Sequence, residues 1–142
     1  MKIKISFTLY LINSVLSIMF GFRYLFCDTV LPYHQQAIGT DWNELGPGLQ
    51  LLLNSLVKLS ASAFFLAGIS SIALLAIPFR KGEVWAKWSI AAIQISFLCF
   101  ALFIPINMAV KIDASTPWPF SLATLIMGIV AFLLSGISRR EI

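Results

Sequence analysis

Apolar residues in this chain come in long runs rather than in strict alternation or on one helical face. Four runs, at about 5–26, 49–78, 84–110 and 117–137, are separated by polar stretches. A membrane-crossing helix needs about 20 mostly apolar residues, and each run is long enough. The pattern predicts an all-α membrane protein: a four-transmembrane-helix antiparallel bundle, forming one domain over residues 1–142. Prolines punctuate the runs. Pro47 suits a first helical turn, where its missing N–H costs nothing. Pro78 ends the second run, and Pro105 is expected to kink the third by removing one backbone hydrogen bond. The first run follows Met1-Lys2-Ile3-Lys4, as a secretory signal would. It ends in Gly21-Phe22-Arg23-Tyr24-Leu25-Phe26 without a small-x-small cleavage site, so it reads as an uncleaved span.

Composition agrees with lipid as the solvent. Of 142 residues, 59% are hydrophobic and 11% charged, against roughly 25% charged in an ordinary soluble domain. A soluble domain this short has no core large enough to hide that much apolar surface. The formal charge of +4 does not point to nucleic acid, because the basic residues sit at segment ends instead of forming a stripe. Their distribution sets an orientation. Seven of the ten (Lys2, Lys4, Arg80, Lys81, Lys87, Arg139 and Arg140) fall on one side, and Arg23, Lys58 and Lys111 on the other. The side richer in Lys and Arg is the cytoplasmic one, so both termini are expected inside a bacterial inner membrane and loop 28–48 outside. Glu83 and Glu141 then lie inside, and Asp28, Asp41, Glu44 and Asp113 outside. Trp85 and Trp88 mark the inner interface and Trp118 the outer one.

Helices in lipid pack through small residues. Ala63, Ala67 and Ser71, then Ala92 and Ser96, then Thr124, Gly128, Ala131 and Ser135 are the expected contact positions. Within the spans, Asn13, Ser14, Ser17, Gln94 and Asn107 either hydrogen-bond between helices or line a cavity opening outward. Cys27 and Cys99 are expected at different depths, as small buried hydrophobes and not as a disulfide pair.

Loop 28–48 is long for a small bundle, and such loops carry structure or function. Pro32 fits the start of a short helix and Gly39 its stop. Asp41 with Glu44 resembles a capping box for a second turn. The loop therefore reads as two helical turns forming a lid over the spans.

Several segments carry a resemblance: Phe22-Arg23-Tyr24, Pro32-Tyr33-His34-Gln35-Gln36-Ala37-Ile38-Gly39, Trp42 to Leu45 with Pro47-Gly48-Leu49-Gln50, and the inner turn from Ile77 to Trp88. Together they resemble an uncharacterised bacterial family of small four-span integral membrane proteins, over nearly the whole chain. The general layout is similar to that of DoxX-like proteins. The resemblance implies a bacterial inner-membrane setting and no particular activity.

The candidate ligand-binding residues are Arg23, Tyr33, His34, Asp41, Glu44, Lys58 and Asn107, gathered at the outer end. A cation pair of Arg23 and Lys58 would suit an anionic head group, although Lys58 also suits an interfacial anchor. His34 with Asp41 and Glu44 has the composition of a carboxylate–imidazole metal site, but the two acids are better explained as caps. No GxSxG, HExxH, P-loop or GxGxxG motif is present. No catalytic residue, metal or cofactor is therefore assigned. The expected function is binding of a lipid-like or small amphipathic ligand near the outer leaflet, or service as an accessory subunit with a membrane partner or a second copy. One alternative is a membrane enzyme acting on a lipid or quinone-like substrate, with His34 as acid/base and Asp41 or Glu44 orienting it. Another is a small transporter, which the lack of a carboxylate at mid-membrane disfavours.

Overall fold

A computed structural model describes residues 2–136. The expected end of the fourth span at Ile137, and the charges at Arg139, Arg140 and Glu141, lie outside the described residues. Within them the chain is all-helical. The elements are α1 (Lys2–Leu25), α2 (Pro32–Ile38), a 3-10 turn (Trp42–Glu44), α3 (Pro47–Leu74), α4 (Val84–Ile112) and α5 (Trp118–Leu134). A wide π-type turn, Leu75–Phe79, extends α3. Pro78 lies in it, and the wider spacing accommodates a ring that an α-turn would force against the carbonyl four residues back. Pro47–Phe79 is thus one continuous helical stretch of 33 residues. It and α1 and α4 are long and apolar enough to cross a membrane, while α5 has 17 residues.

The burial pattern is inverted relative to a soluble protein. On α1 the buried residues are Ser6, Tyr10, Asn13, Ser14, Ser17 and Gly21, a stripe at helical spacing. Ile5, Ile12, Val15, Met19 and Phe22 are exposed. Aliphatic and aromatic side chains point outward on the other long helices as well, including Leu66, Ile69, Phe103, Val110 and Leu133. Exposed apolar surface this extensive is compatible with a membrane helical bundle.

Small and polar residues make many of the helix contacts, as is usual for helices that pack in lipid. Ser6 donates to the Ala131 carbonyl (2.6 Å) and the Asn13 amide to the Thr124 carbonyl (3.1 Å), so α1 and α5 run in opposite directions. Gln94 from α4 donates to the Tyr10 carbonyl (3.1 Å) and to Ser14 Oγ (2.9 Å). Gly68 lets α3 lie directly on α1. A Cβ there would sit 2.6 Å from Ile18 and 2.8 Å from the Ser14 carbonyl oxygen. The buried apolar cluster of Tyr10, Leu75, Phe79, Ala86, Ile90 and Ala131 lies at the end of the bundle that carries the α3–α4 turn. There Lys87 is buried as well. Its ammonium donates to the Gly136 carbonyl (2.6 Å) and lies 4.8 Å from the centre of the Phe132 ring.

Some expectations change. α4 is continuous from Val84 to Ile112 with Pro105 inside it, and the Pro105 carbonyl accepts a bond from Thr116 Oγ1 (2.9 Å). Ala67, Ser71, Thr124, Gly128, Ala131 and Ser135 are buried, but Ala63, Ala92 and Ser96 are exposed. On α4, the face carrying Ala92 and Ser96 turns away from the other helices. Cys99 is exposed and Cys27 half-buried, and both are free thiols.

Candidate functional site

Around the bundle the long helices follow the order α3, α1, α5, α4, and the closing seam between α4 and α3 is the loosest. At the lid end this looseness becomes a cavity of about 420 Å³, within the range of small-molecule sites (about 300–1,000 Å³). Asn13 and Thr124 lie at its floor, and Leu31, Tyr33 and His34 of the lid at its roof. On α1 the lining runs from Asn13 to Tyr24, eleven residue steps or roughly 16 Å at the helical rise. Phe20, Phe64, Phe97 and Phe120 supply aromatic walls. Phe64 of α3 meets Phe97 of α4 edge to face at 4.9 Å, across the loose seam. Ser60, Ala63, Phe100 and Ile104 line the cavity and are also exposed, so the cavity opens sideways between α3 and α4. Among the described residues, no Asp, Glu, Lys or Arg lines it.

The lid is ordered by local chemistry and pinned at both edges. Pro32 occupies the first turn of α2, and Gly39 ends it with φ of 74°, the left-handed conformation that glycine adopts without strain. The Asn54 amide donates to the Asp28 carbonyl (3.0 Å), and the Gln50 amide to the Trp42 carbonyl (2.7 Å). On the other edge, the Ser115 backbone N–H donates to Gln36 Oε1 (2.9 Å). Val30 and Leu31 are buried beneath.

Three polar rings meet at the roof. The Tyr24 and Tyr33 hydroxyl oxygens are 2.5 Å apart, with one donating to the other. The His34 ring centre lies 4.2 Å from that of Tyr33 and 6.5 Å from that of Tyr24. His34 Nδ1 is buried without a hydrogen-bond partner. Burial pushes the His34 imidazole below its ordinary pKa and so favours the neutral ring. Burial also raises the Tyr33 phenol, and its bond to Tyr24 adds to this.

Of the seven residues singled out from sequence, Tyr33 and His34 lie on the cavity and the other five do not. Arg23 and Lys58 are exposed on the outer faces of α1 and α3, so no cation pair faces the site. Asp41 makes no capping bond to its turn; it accepts a long bond from Gln35 (3.5 Å), and Glu44 accepts from Thr40 (2.6 Å). The capping box therefore does not form, and both acids are exposed, away from His34's cavity. Among the described residues, no group of three or more His, Cys, Asp or Glu side chains gathers as a metal site. Asn107 donates back to the Phe103 carbonyl of its own helix (2.9 Å). Tyr24 is the residue that sequence reasoning missed. The signal was present: Ser6, Tyr10, Asn13, Ser17 and Gly21 recur at three or four residues, and three further positions give Tyr24, not Arg23.

No protein-family model matches the chain, and neither a curated protein nor a solved structure matches it.

Proposed function

We propose that the chain is a four-span protein of a bacterial inner membrane, and that it holds a neutral amphipathic molecule in the cavity beneath the 28–48 lid. Both termini lie in the cytoplasm and the lid on the outer side, by the distribution of Lys and Arg. The observation that carries the reading is a cavity of about 420 Å³ with aromatic walls and no formally charged side chain on its lining. An ion there would have no counter-charge and would bear the full cost of leaving water. An uncharged ligand with an apolar body pays no such cost. It would enter from the lipid through the α3–α4 seam, past Phe64 and Phe97, without crossing the lid.

The test is purification of the full chain in mild detergent, with mass spectrometry of what accompanies it. Wild-type protein should retain a neutral amphiphile. Ala63→Trp, which puts an indole at the seam, should retain less than about a tenth as much and still fold. Equal retention by the two proteins would sink the reading. Single cysteines at Gly39 and Gly82 should label from opposite sides of the membrane, Gly39 from outside.

A further inference from the structure

We propose that the molecule beneath the lid carries an uncharged hydroxyl head, a phenol or an alcohol, which donates to His34 and accepts from the Tyr24–Tyr33 pair. The inference rests on the cavity reading above and adds the chemistry of the head group and the end at which it sits.

Two tyrosine hydroxyls carry two protons. The bond between them, 2.5 Å long, uses one. The hydroxyl that accepts keeps its own proton, so the pair has one O–H left to give. Beside it the His34 ring packs on Tyr33 at 4.2 Å, with Nδ1 buried and unpartnered. Neutral imidazole has one donor nitrogen and one acceptor nitrogen whichever tautomer is present. Burial favours that neutral form. Tyr24, Tyr33 and His34 all line the cavity, so its roof residues hold one phenolic proton and one imidazole acceptor to spare.

Few head groups answer both. A ketone or an ether accepts only, and leaves the imidazole acceptor empty. A carboxylate accepts only and adds a charge that nothing on the lining balances. An ammonium donates but finds no acid. A hydroxyl gives its proton to nitrogen and takes one from tyrosine. Below it, Phe20, Phe64, Phe97 and Phe120 receive the apolar body. The floor presents the competing polar end. Asn13 Oδ1 is also buried without a partner, and the Ser17 hydroxyl one turn away lines the same cavity. The roof is preferred because its aromatic rings hold the donor and the acceptor side by side, 4.2 Å between ring centres, and an Asn13 variant separates the two ends.

The experiment uses the full chain in detergent and three probes of matched tail: 4-nonylphenol, its methyl ether, and 4-nonylbenzoate. Affinity is read from ligand-induced thermal stabilisation across a concentration series. The phenol should bind wild-type protein at least about tenfold more tightly than the ether, because a site that hydrogen-bonds a hydroxyl penalises its loss. His34→Phe should bring that ratio close to one and leave ether binding intact; His34→Leu serves if the phenylalanine variant does not fold. Asn13→Ala should leave the ratio unchanged. Equal binding of phenol and ether to wild type overturns the hydroxyl head and leaves the cavity reading standing. Tighter binding of the benzoate overturns the uncharged head. A ratio lost in Asn13→Ala but kept in the His34 variants overturns the placement at the roof. Binding of none of the three overturns this inference together with the cavity reading.

Discussion

The two ends of the bundle are built from the same helices but packed in opposite ways. At the α3–α4 turn, Tyr10, Leu75, Phe79, Ala86, Ile90 and Ala131 close on one another, and the cavity beside them, bordered by Phe79, Glu83 and Lys87, is about 220 Å³, roughly half the size of the one beneath the lid. At the lid end, α3 and α4 separate and aromatic side chains border a cavity instead of filling it. The α3–α4 turn is short, from Arg80 to Glu83, and holds those helices together at one end; at the lid end no connection joins α3 to α4 directly. One end secures the fold, and the other is free to be hollow.

Substitutions should divide along this line. The largest effect is expected at Gly68, where a Cβ would strike Ile18 and the Ser14 backbone. Gly68→Leu should cost about 3 kcal/mol or more, measured by reversible unfolding in mixed micelles. Tolerance there would mean that the α1–α3 contact is not what holds the bundle. Next, Ile90→Ala in the closed half should cost about 2 kcal/mol or more. Ile104→Ala beside the cavity, where the side chain is 54% exposed, should cost less than about 0.5 kcal/mol. Similar losses at the two sites would erase the contrast. A smaller change is expected for Tyr33→Phe, about 1 kcal/mol, as one hydrogen bond at the roof is lost.

The smallest effect is a pH dependence. His34 is pushed below the ordinary imidazole value by burial, with Tyr24 and Tyr33 the titratable groups packed against it. Above about pH 6.5 the folded and unfolded states are both neutral there, and nothing changes. As pH falls through that value, the unfolded chain takes up a proton that the folded chain resists, so stability declines. Unfolding midpoints should drop modestly on acidification below pH 6.5, and the drop should be reduced in His34→Phe. An identical profile in the two proteins would show that the roof histidine is not desolvated.

Much of this layout can be read from the chain. Span positions follow from run length, and the lid helix follows from Pro32 and Gly39, because local backbone chemistry decides both. Helix rotation was harder to read. On a helix that is apolar all round, charge is a poor guide to the inward face; the small and polar residues mark it. Arg23 and Lys58 were drawn to the site by their chemistry, yet Arg23 lies one residue off the line through Gly21 and Tyr24. Lys58 is likewise one residue past buried Val57. Asp41 and Glu44 have capping-box spacing, but Thr40 and Gln35 compete for them from the same loop. The cavity depends on how far α3 and α4 separate, which no local pattern encodes.

The unequal helices have a consequence for the surrounding bilayer. Pro47–Phe79, with 33 residues, is about 50 Å long, whereas α5, with 17, is about 25 Å. A hydrocarbon layer of about 30 Å is too thin for the first unless it tilts and too thick for the second unless the lipid thins. The long helix borders the seam where a ligand would leave the lipid, and the short one forms part of the cavity's far wall. In the membrane setting proposed above, bilayer thickness would therefore act unequally on the two sides of the cavity. Reconstitution into thin and thick bilayers should alter how far α3 leans from α4, and with it the width of the doorway.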